Sequence, residues 1–208
     1  METIISADKA ATLFINSVNS PGFDTFFYLV SSKYTWFCVG VGLLFFLFKK
    51  AKPNYRTAII FLLFLAVAIL CADQLCNLVK HSAQRFRPCW DESIMDSVHI
   101  VNNDRGGKYG FFSAHAATFF ALAFMTAQYF KNKYYTIGVY FIALLVSYSR
   151  IYLGRHFLGD IFVGAIEGTL IAWGVMWFYH KFLTKYNAKH GIGITQNNSE
   201  NNIQDGRL

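Results

Sequence analysis

The sequence predicts an all-α membrane protein, a polytopic helix bundle with about five transmembrane spans and an N-terminal interfacial helix. Two observations predict this class. First, 54% of the 208 residues are hydrophobic, 18% are aromatic and only 15% are charged, which lies well outside the composition of soluble proteins. Second, apolar segments of roughly 20 residues, the length that crosses a bilayer, alternate with short polar turns.

The first segment, residues 1–20, carries Glu2, Asp8 and Lys9 around a modest apolar pattern and ends in a turn at residues 19–22. It lacks the basic start and the uninterrupted apolar run of a cleaved signal peptide. We therefore predict an amphipathic helix that lies in the membrane interface.

The predicted spans are the long apolar segments that follow, at residues 23–48, 57–79, 113–130, 134–148 and 157–182. Ser31, Ser32 and Lys33 interrupt the first of them. This segment is either one long tilted helix or a helix that breaks at the serines. We favour the tilted helix, with its outer third near the lipid head groups.

Residues 89–110 form a long polar loop that is rich in Asp, Asn and Gly. We expect it to cover a functional site, because loops of this length are usually functional. Its acidic residues have no recognisable metal-ligand spacing, so no metal site is predicted from Asp91, Glu92, Asp96 and Asp104. Residues 1–186 are predicted to form one integral membrane domain, and residues 187–208 a polar, disordered cytoplasmic tail.

The distribution of basic residues predicts the orientation. The turns at 49–56 and 131–133 and the end of the chain from Lys181 hold ten of the nineteen Lys and Arg residues, so we expect them to be cytoplasmic. The net charge of +7 does not indicate nucleic-acid binding, because most basic residues lie in these turns or in the motifs described next.

Three polar motifs lie at the ends of apolar segments, where ionisable groups indicate function. In the last motif, a helix from Phe157 onward would place His156 and Asp160 on one face. The carboxylate can then accept a hydrogen bond from one imidazole nitrogen and leave the other for a substrate. Arg150 can bring donors that match phosphate oxygens. The alternative is a juxtamembrane histidine with basic anchors.

The other two motifs favour the phosphate interpretation. Lys80 ends one apolar segment and is followed, seven residues later, by Arg87. Ser113 and His115 begin the next apolar segment, where a hydroxyl and free helix amides favour an anion. Taken singly, these residues would be interfacial anchors, an N-cap and a buried polar residue. Together they indicate one anion site.

The three motifs resemble the signature of the type 2 phosphatidic acid phosphatase superfamily: Lys, six residues, Arg-Pro; then Pro-Ser-Gly-His; then Ser-Arg, five residues, His, three residues, Asp. The first and third match at every defining position. In the middle motif Phe112 replaces proline and Ala114 replaces glycine. Because alanine lacks the freedom of glycine at positive φ, we expect Ala114 in helical geometry, with its amide available to an anion.

The resemblance implies a lipid phosphatase that needs neither a metal nor another cofactor. It implies that His156 attacks phosphorus and forms a phosphohistidine, that Asp160 orients its ring, and that His115 acts first as an acid and then as a base. It also implies a set of substrate-binding residues: Lys80, Arg87, Ser113, Ala114 and Arg150.

Membrane members of this superfamily act on phosphatidic acid, phosphatidylglycerol phosphate, polyprenyl diphosphates and lipid A phosphates, and the motifs are common to all. The compact chain resembles bacterial members, and we favour polyprenyl diphosphate. The implied location is the bacterial inner membrane, with the site facing the periplasm or exterior. The expected partners are a lipid phosphate substrate and membrane lipids, and not nucleic acid. The alternatives are a lipid phosphotransferase and a phospholipid-binding transporter, but binding alone does not need His156, Asp160 and His115.

Overall fold

The computed structural model describes residues 2–51 and 55–189. This part of the chain forms seven α-helices and no β-strand: α1 (Glu2–Ser17), α2 (Pro21–Val30), α3 (Lys33–Ala51), α4 (Tyr55–Ala83), α5 (Ala114–Phe130), α6 (Lys133–Tyr152) and α7 (Leu158–Lys189). The all-α class is confirmed. The predicted tail begins within α7, and its residues 190–208 lie outside the described residues.

Within the described ranges, three helices are long and apolar enough to cross a membrane, namely α4, α6 and α7, and the bent pair α2–α3 could be a fourth span. We predicted about five spans. The difference is α5, which has only 17 residues and lies at the centre of the bundle against α4, α6 and α7. The helical membrane architecture is confirmed, with three to four candidate spans.

The first predicted span is broken. The axes of α2 and α3 differ by 54°, so the tilted helix that we favoured is wrong and the alternative of a break is correct. Hydroxyl groups satisfy the backbone at the bend: Ser32 Oγ donates to the Leu29 carbonyl at 2.6 Å and accepts from the Tyr34 amide at 3.2 Å. Serine is suited to this position because its side chain competes for backbone hydrogen bonds.

Helices α5 and α7 approach each other closely through two glycines of α7. A Cβ atom at Gly164 would lie 2.6 Å from the Ser113 carbonyl oxygen, and one at Gly168 would overlap the backbone of Ala117. Small residues at this spacing let two membrane helices touch along their backbones. As a result the first residues of α5 and α7 lie side by side, and the Ser113 amide donates to the Asp160 carbonyl at 3.1 Å.

Helices α4 and α7 are longer than a bilayer requires. With 29 and 32 residues, they extend about 44 and 48 Å, against a hydrocarbon thickness of about 30 Å. One or both of their ends therefore project beyond the hydrocarbon. The end of α4 that carries Lys80 and the start of α7 that carries Asp160 lie at the same end of the bundle as the polar loop.

Candidate active site

A tight turn after α6 brings the parts of the third motif together. Gly154 has φ +65°, and a Cβ atom there would lie 2.5 Å from Val98, so glycine suits both the backbone and the space. After this turn the amides of Arg155 and His156 both donate to the carbonyl of Arg150, at 2.9 and 3.3 Å. The buried His156 ring is thereby held beside the last turn of α6.

His156 and Asp160 face each other as their spacing predicts. His156 Nδ1 lies 3.4 Å from Asp160 Oδ2, and Asp160 is fully buried in the first turn of α7. The same Oδ2 atom accepts the Phe157 amide at 3.0 Å, a bond that satisfies one of the free amides at a helix start. Asp160 therefore caps α7 and contacts the imidazole at the same time.

The middle motif begins α5 beside this pair. Ser113 is the N-cap and its hydroxyl accepts the Ala116 amide at 3.4 Å. Ala114 is the first helical residue, so the expectation of helical geometry is confirmed. The His115 ring lies near enough to the Ser31 backbone and to His156 to interact electrostatically with both. The two histidines therefore share one site although they belong to different motifs.

The first motif supplies two cations to this site. Arg87 Nε donates to the Tyr109 carbonyl at 3.0 Å, next to an isolated β-bridge between Phe86 and Tyr109. Lys80 in the last turn of α4 also interacts electrostatically with His156. Burial and then the neighbouring Arg155 lower the pKa of Arg87, because positive charges are crowded here.

The polar loop covers the site, as predicted. A Cβ atom at Gly106 would lie 2.9 Å from Arg87 Nη1, and one at Gly110 would lie 3.5 Å from His156 Nδ1. Asp104 forms an ion pair with Arg155. The loop backbone therefore lies directly on the cations and on the buried histidine.

Two buried guanidinium nitrogens at this site, Arg150 Nε and Arg155 Nε, have no hydrogen-bond partner among the described residues. Buried polar atoms are normally paired, so a surplus of cationic groups fits an anion. Burial, and then the charges of Arg150 and Arg87, lower the pKa of His156 well below its usual 6.5. The imidazole is therefore neutral at physiological pH, the form in which nitrogen is nucleophilic.

The sequence analysis missed several residues that the fold brings to this site. The Ser31 hydroxyl, at the bend between α2 and α3, pairs with Arg150. Arg85 contacts Asp160 Oδ1 at 2.7 Å, and Asp8 of α1 contacts the same guanidinium at 2.7 Å. Arg155 pairs with the loop. Within the ranges 2–51 and 55–189, no group of three or more His, Cys, Asp or Glu side chains is placed to hold a metal ion.

One sequence signal indicates how α1 is used. Asp8, Thr12 and Asn16 recur every four residues and form a polar stripe on this helix. Thr12 Oγ1 accepts the Leu158 amide at 3.0 Å, and Asn16 Nδ2 donates to the Tyr152 carbonyl at 2.7 Å. The predicted N-terminal helix is therefore present, and its polar face is docked on the end of α6 and the start of α7.

The fold and the site together define a class of protein. It is a helical membrane bundle in which two histidines lie among cations at one end. A family model for the PAP2 superfamily matches residues 57–183, which is more than half of the chain. The chain belongs to the PAP2 superfamily, as its motifs predicted.

Proteins that are similar to this chain in sequence or in fold add detail to this assignment. The lipid A 4'-phosphatase of Porphyromonas gingivalis is 39% identical over 171 residues, covering 82% of this chain and 72% of that protein. The lipid A 4'-phosphatase of Bacteroides thetaiotaomicron is 34% identical over 187 residues, covering 89% and 82%. In fold, the crystal structure of a transmembrane PAP2-type phosphatidylglycerolphosphate phosphatase from Bacillus subtilis is similar, with a TM-score of 0.61 and 22% identity over 87% of this chain and 88% of that one.

The chain is therefore an integral membrane phosphatase that hydrolyses a lipid phosphate. The predicted enzyme class is confirmed.

Proposed function

We propose that the reaction is metal-independent and passes through a phosphohistidine on His156. The observation that carries this proposal is the contact of His156 Nδ1 with Asp160 Oδ2 inside a cluster of cations, with His115 close enough to His156 for their charges to interact. A phosphate monoester resists hydrolysis because its oxygens repel a nucleophile and its alkoxide leaves poorly. The cations neutralise the charge of the phosphate oxygens, and an acid beside the leaving oxygen protonates the alkoxide.

In the first step, His156 Nε2 attacks phosphorus and the bond from phosphorus to the lipid oxygen breaks. His115 gives its proton to that oxygen. Asp160, which faces Nδ1, orients the ring and balances the positive charge that it gains. In the second step, His115 takes a proton from water, the water oxygen attacks phosphorus, and the bond to His156 breaks to release inorganic phosphate.

The phosphate oxygens are held by the cations and by the start of α5. Guanidinium groups match phosphate oxygens in pairs, and free amides at a helix start favour an anion. The unpaired nitrogens at Arg150 and Arg155 support this assignment. The proposed binding set is the one expected from the motifs: Lys80, Arg87, Ser113, Ala114 and Arg150.

For the substrate we propose a phosphate of lipid A type, ahead of the polyprenyl diphosphate that the sequence favoured. The support is that two relatives named lipid A 4'-phosphatase align with most of this chain. We also propose that the protein lies in a bacterial inner membrane with its site on the periplasmic side. The basic turns lie at the opposite end of α5, where Lys50 donates to the carbonyls of Tyr129 and Phe130 at 2.6 and 3.0 Å.

The test is release of inorganic phosphate by the purified protein in detergent and chelator. The substrates are lipid A, a polyprenyl diphosphate, phosphatidic acid and phosphatidylglycerol phosphate. We expect turnover in chelator, fastest with lipid A. The His156→Ala variant should be inactive but fold normally, because it loses the atom that bonds to phosphorus. The His180→Ala variant, in the exposed part of α7, is the matched control and should retain activity.

A second variant separates the two steps. His115→Ala lacks the base for water, so an acid-labile phosphoenzyme should accumulate when the substrate has a good leaving group. The double variant His115→Ala/His156→Ala should show none. Full activity of folded His156→Ala, or strict dependence on a divalent cation, would contradict the mechanism. Faster turnover of another lipid in the panel would overturn the substrate assignment alone.

A further inference from the structure

Arg85 connects the two carboxylates nearest to the start of α7. Its Nη1 lies 2.7 Å from Asp160 Oδ1 and its Nη2 lies 2.7 Å from Asp8 Oδ2. Asp160 is completely buried, and the Arg85 side chain retains 29% of its exposure. A single planar guanidinium therefore joins a residue of the N-terminal helix to the carboxylate that faces His156.

The guanidinium is fixed from other sides as well. Its Cζ atom lies 4.2 Å from the centre of the Phe157 ring, in the range of a cation–π contact. The Arg85 carbonyl accepts the Gly110 amide at 2.9 Å, which ties its backbone to the covering loop. Lysine cannot reproduce this arrangement, because an ammonium group has neither the planar fork nor the stacking face.

Asp8 is itself held in place by α7. Its Oδ1 atom accepts the Gly159 amide at 2.8 Å, one of the free amides of the first turn of α7. A Cβ atom at Gly159 would lie 2.9 Å from Asp8 Oδ2, so the close approach depends on glycine. Asp8 therefore binds the helix that carries Asp160 and also the arginine that contacts Asp160.

We propose that Arg85, anchored by Asp8, is a positioning residue for the phosphatase reaction, and this inference rests on the proposed function. Arg85 holds Asp160 Oδ1, which leaves Oδ2 directed at His156 Nδ1 at 3.4 Å. It also supplies the countercharge that a buried carboxylate requires. Arg85 occupies one of the six undefined positions of the first motif, between Lys80 and Arg87, and it acts through Asp160.

The test compares Arg85→Met and Arg85→Lys with the wild-type protein, using kcat, KM, the pH profile and thermal stability. We expect Arg85→Met to lower kcat by between about ten-fold and a hundred-fold with little change in KM, because the imidazole loses its alignment while phosphate binding remains. The acid limb of the profile should move to higher pH, since a buried carboxylate without a countercharge takes up a proton more readily. Arg85→Lys should keep the acid limb at its wild-type position but should retain only part of the wild-type kcat.

Asp8→Asn in α1 and Asp24→Asn in α2 form a matched pair of variants. Asp24 accepts from the Tyr152 hydroxyl at 2.6 Å and contacts His99 Nε2 at 2.8 Å, without a contact to Arg85 or Asp160. Both variants should melt at lower temperature. Asp8→Asn alone should lower kcat, because it releases one side of Arg85, whereas Asp24→Asn should keep the wild-type pH profile.

Wild-type kcat and a wild-type acid limb in Arg85→Met would overturn the inference. Equal effects of Asp8→Asn and Asp24→Asn on kcat, at an equal loss of stability, would also overturn it. That result would show that the role of Asp8 is purely structural. If Arg85→Met does not fold, Arg85→Lys decides by kcat alone, and a wild-type kcat in that variant would overturn the inference. A wild-type protein that releases no phosphate would instead identify the failure as that of the proposed function, and would overturn both.

Discussion

At the scale of single residues, the proposed phosphohistidine mechanism depends on keeping one buried imidazole neutral. His156 is enclosed by protein and is surrounded by guanidinium and ammonium groups, and each of these conditions disfavours a second proton on the ring. The Asp160 carboxylate faces the ring, and Arg85 binds one of the two carboxylate oxygens. In the proposed mechanism His156 therefore needs no separate base to activate it at neutral pH.

This arrangement predicts the pH dependence of the wild-type enzyme. Because burial and the nearby cations lower the pKa of His156 well below 6.5, protonation of His156 should not reduce kcat/KM as the pH decreases through 6.5. The acid limb should lie at lower pH and should reflect protonation of the Asp160 carboxylate, the group on which the Arg85 variants act. The measurement is initial phosphate release at low substrate concentration across the acidic and neutral range.

The control is a second substrate whose phosphate has a different second pKa. A limb caused by the enzyme stays in place when the substrate is changed, whereas a limb caused by the phosphate moves with it. A half-maximal loss near pH 6.5 with both substrates that does not move in Arg85→Met would contradict the lowered pKa of His156.

At the scale of helices, the site depends on the contact between α5 and α7. Ser113 and His115 begin one helix, and Asp160 lies in the first turn of the other, so the distance between the two helix axes sets the distance between these groups. Gly164 and Gly168 permit that distance because no side chain separates the backbones. Packing between the middle parts of α5 and α7 therefore affects the geometry of the site at the ends of these helices.

We predict that Gly168→Ala separates the two helices. The new methyl group would overlap the backbone of Ala117, and overpacking of this kind costs about 1–3 kcal/mol. The variant should therefore melt at lower temperature and lose activity, although Gly168 lies two turns away from Asp160. Thermal unfolding in detergent and phosphate release measure the two effects.

Gly174→Ala is the matched control in the same helix. Nothing lies within 4 Å of a Cβ atom at Gly174, so alanine should be neutral or stabilise α7 by up to about 1 kcal/mol through its higher helix propensity. Equal behaviour of the two variants would show that close contact at Gly168 is not required.

At the scale of the whole molecule, the site and the basic turns lie at opposite ends of the bundle. Helix α5 begins at the site and ends beside Lys50, about 25 Å away for 17 residues. If the basic end is cytoplasmic, the covering loop faces the periplasm.

Cysteine labelling of intact cells tests this orientation. Cys89 in the covering loop is buried, and burial raises the pKa of its thiol, so it is a poor target. We predict that an impermeant thiol reagent labels Ser97→Cys, at an exposed position of the loop, but not Lys133→Cys, at the exposed start of α6. The exposed Cys38 and Cys71 are first replaced by alanine.

Permeabilised cells provide the control, because both positions should then react. Labelling of Lys133→Cys but not of Ser97→Cys in intact cells would place the site on the cytoplasmic side and contradict the proposed orientation.

The sequence alone predicted what depends on local pattern. Long apolar segments identified the helical membrane class because crossing a bilayer requires length and composition that are visible in any window of the chain. His156 and Asp160 were paired correctly because a helix places residues four apart on one face. The helical geometry of Ala114 followed from the limits on alanine. The first helix was also expected, but its docking was not.

Only the tertiary structure decided which distant side chains complete the site. Arg85 and Asp160 are 75 residues apart, and Asp8 meets the Gly159 amide across 151 residues. The serines at 31 and 32 were compatible with a tilted helix or a break, and the choice depends on partners such as Arg150 on another helix. A contact between two helices depends on how their faces pack. The spacing of residues within one helix does not indicate which other helix it contacts.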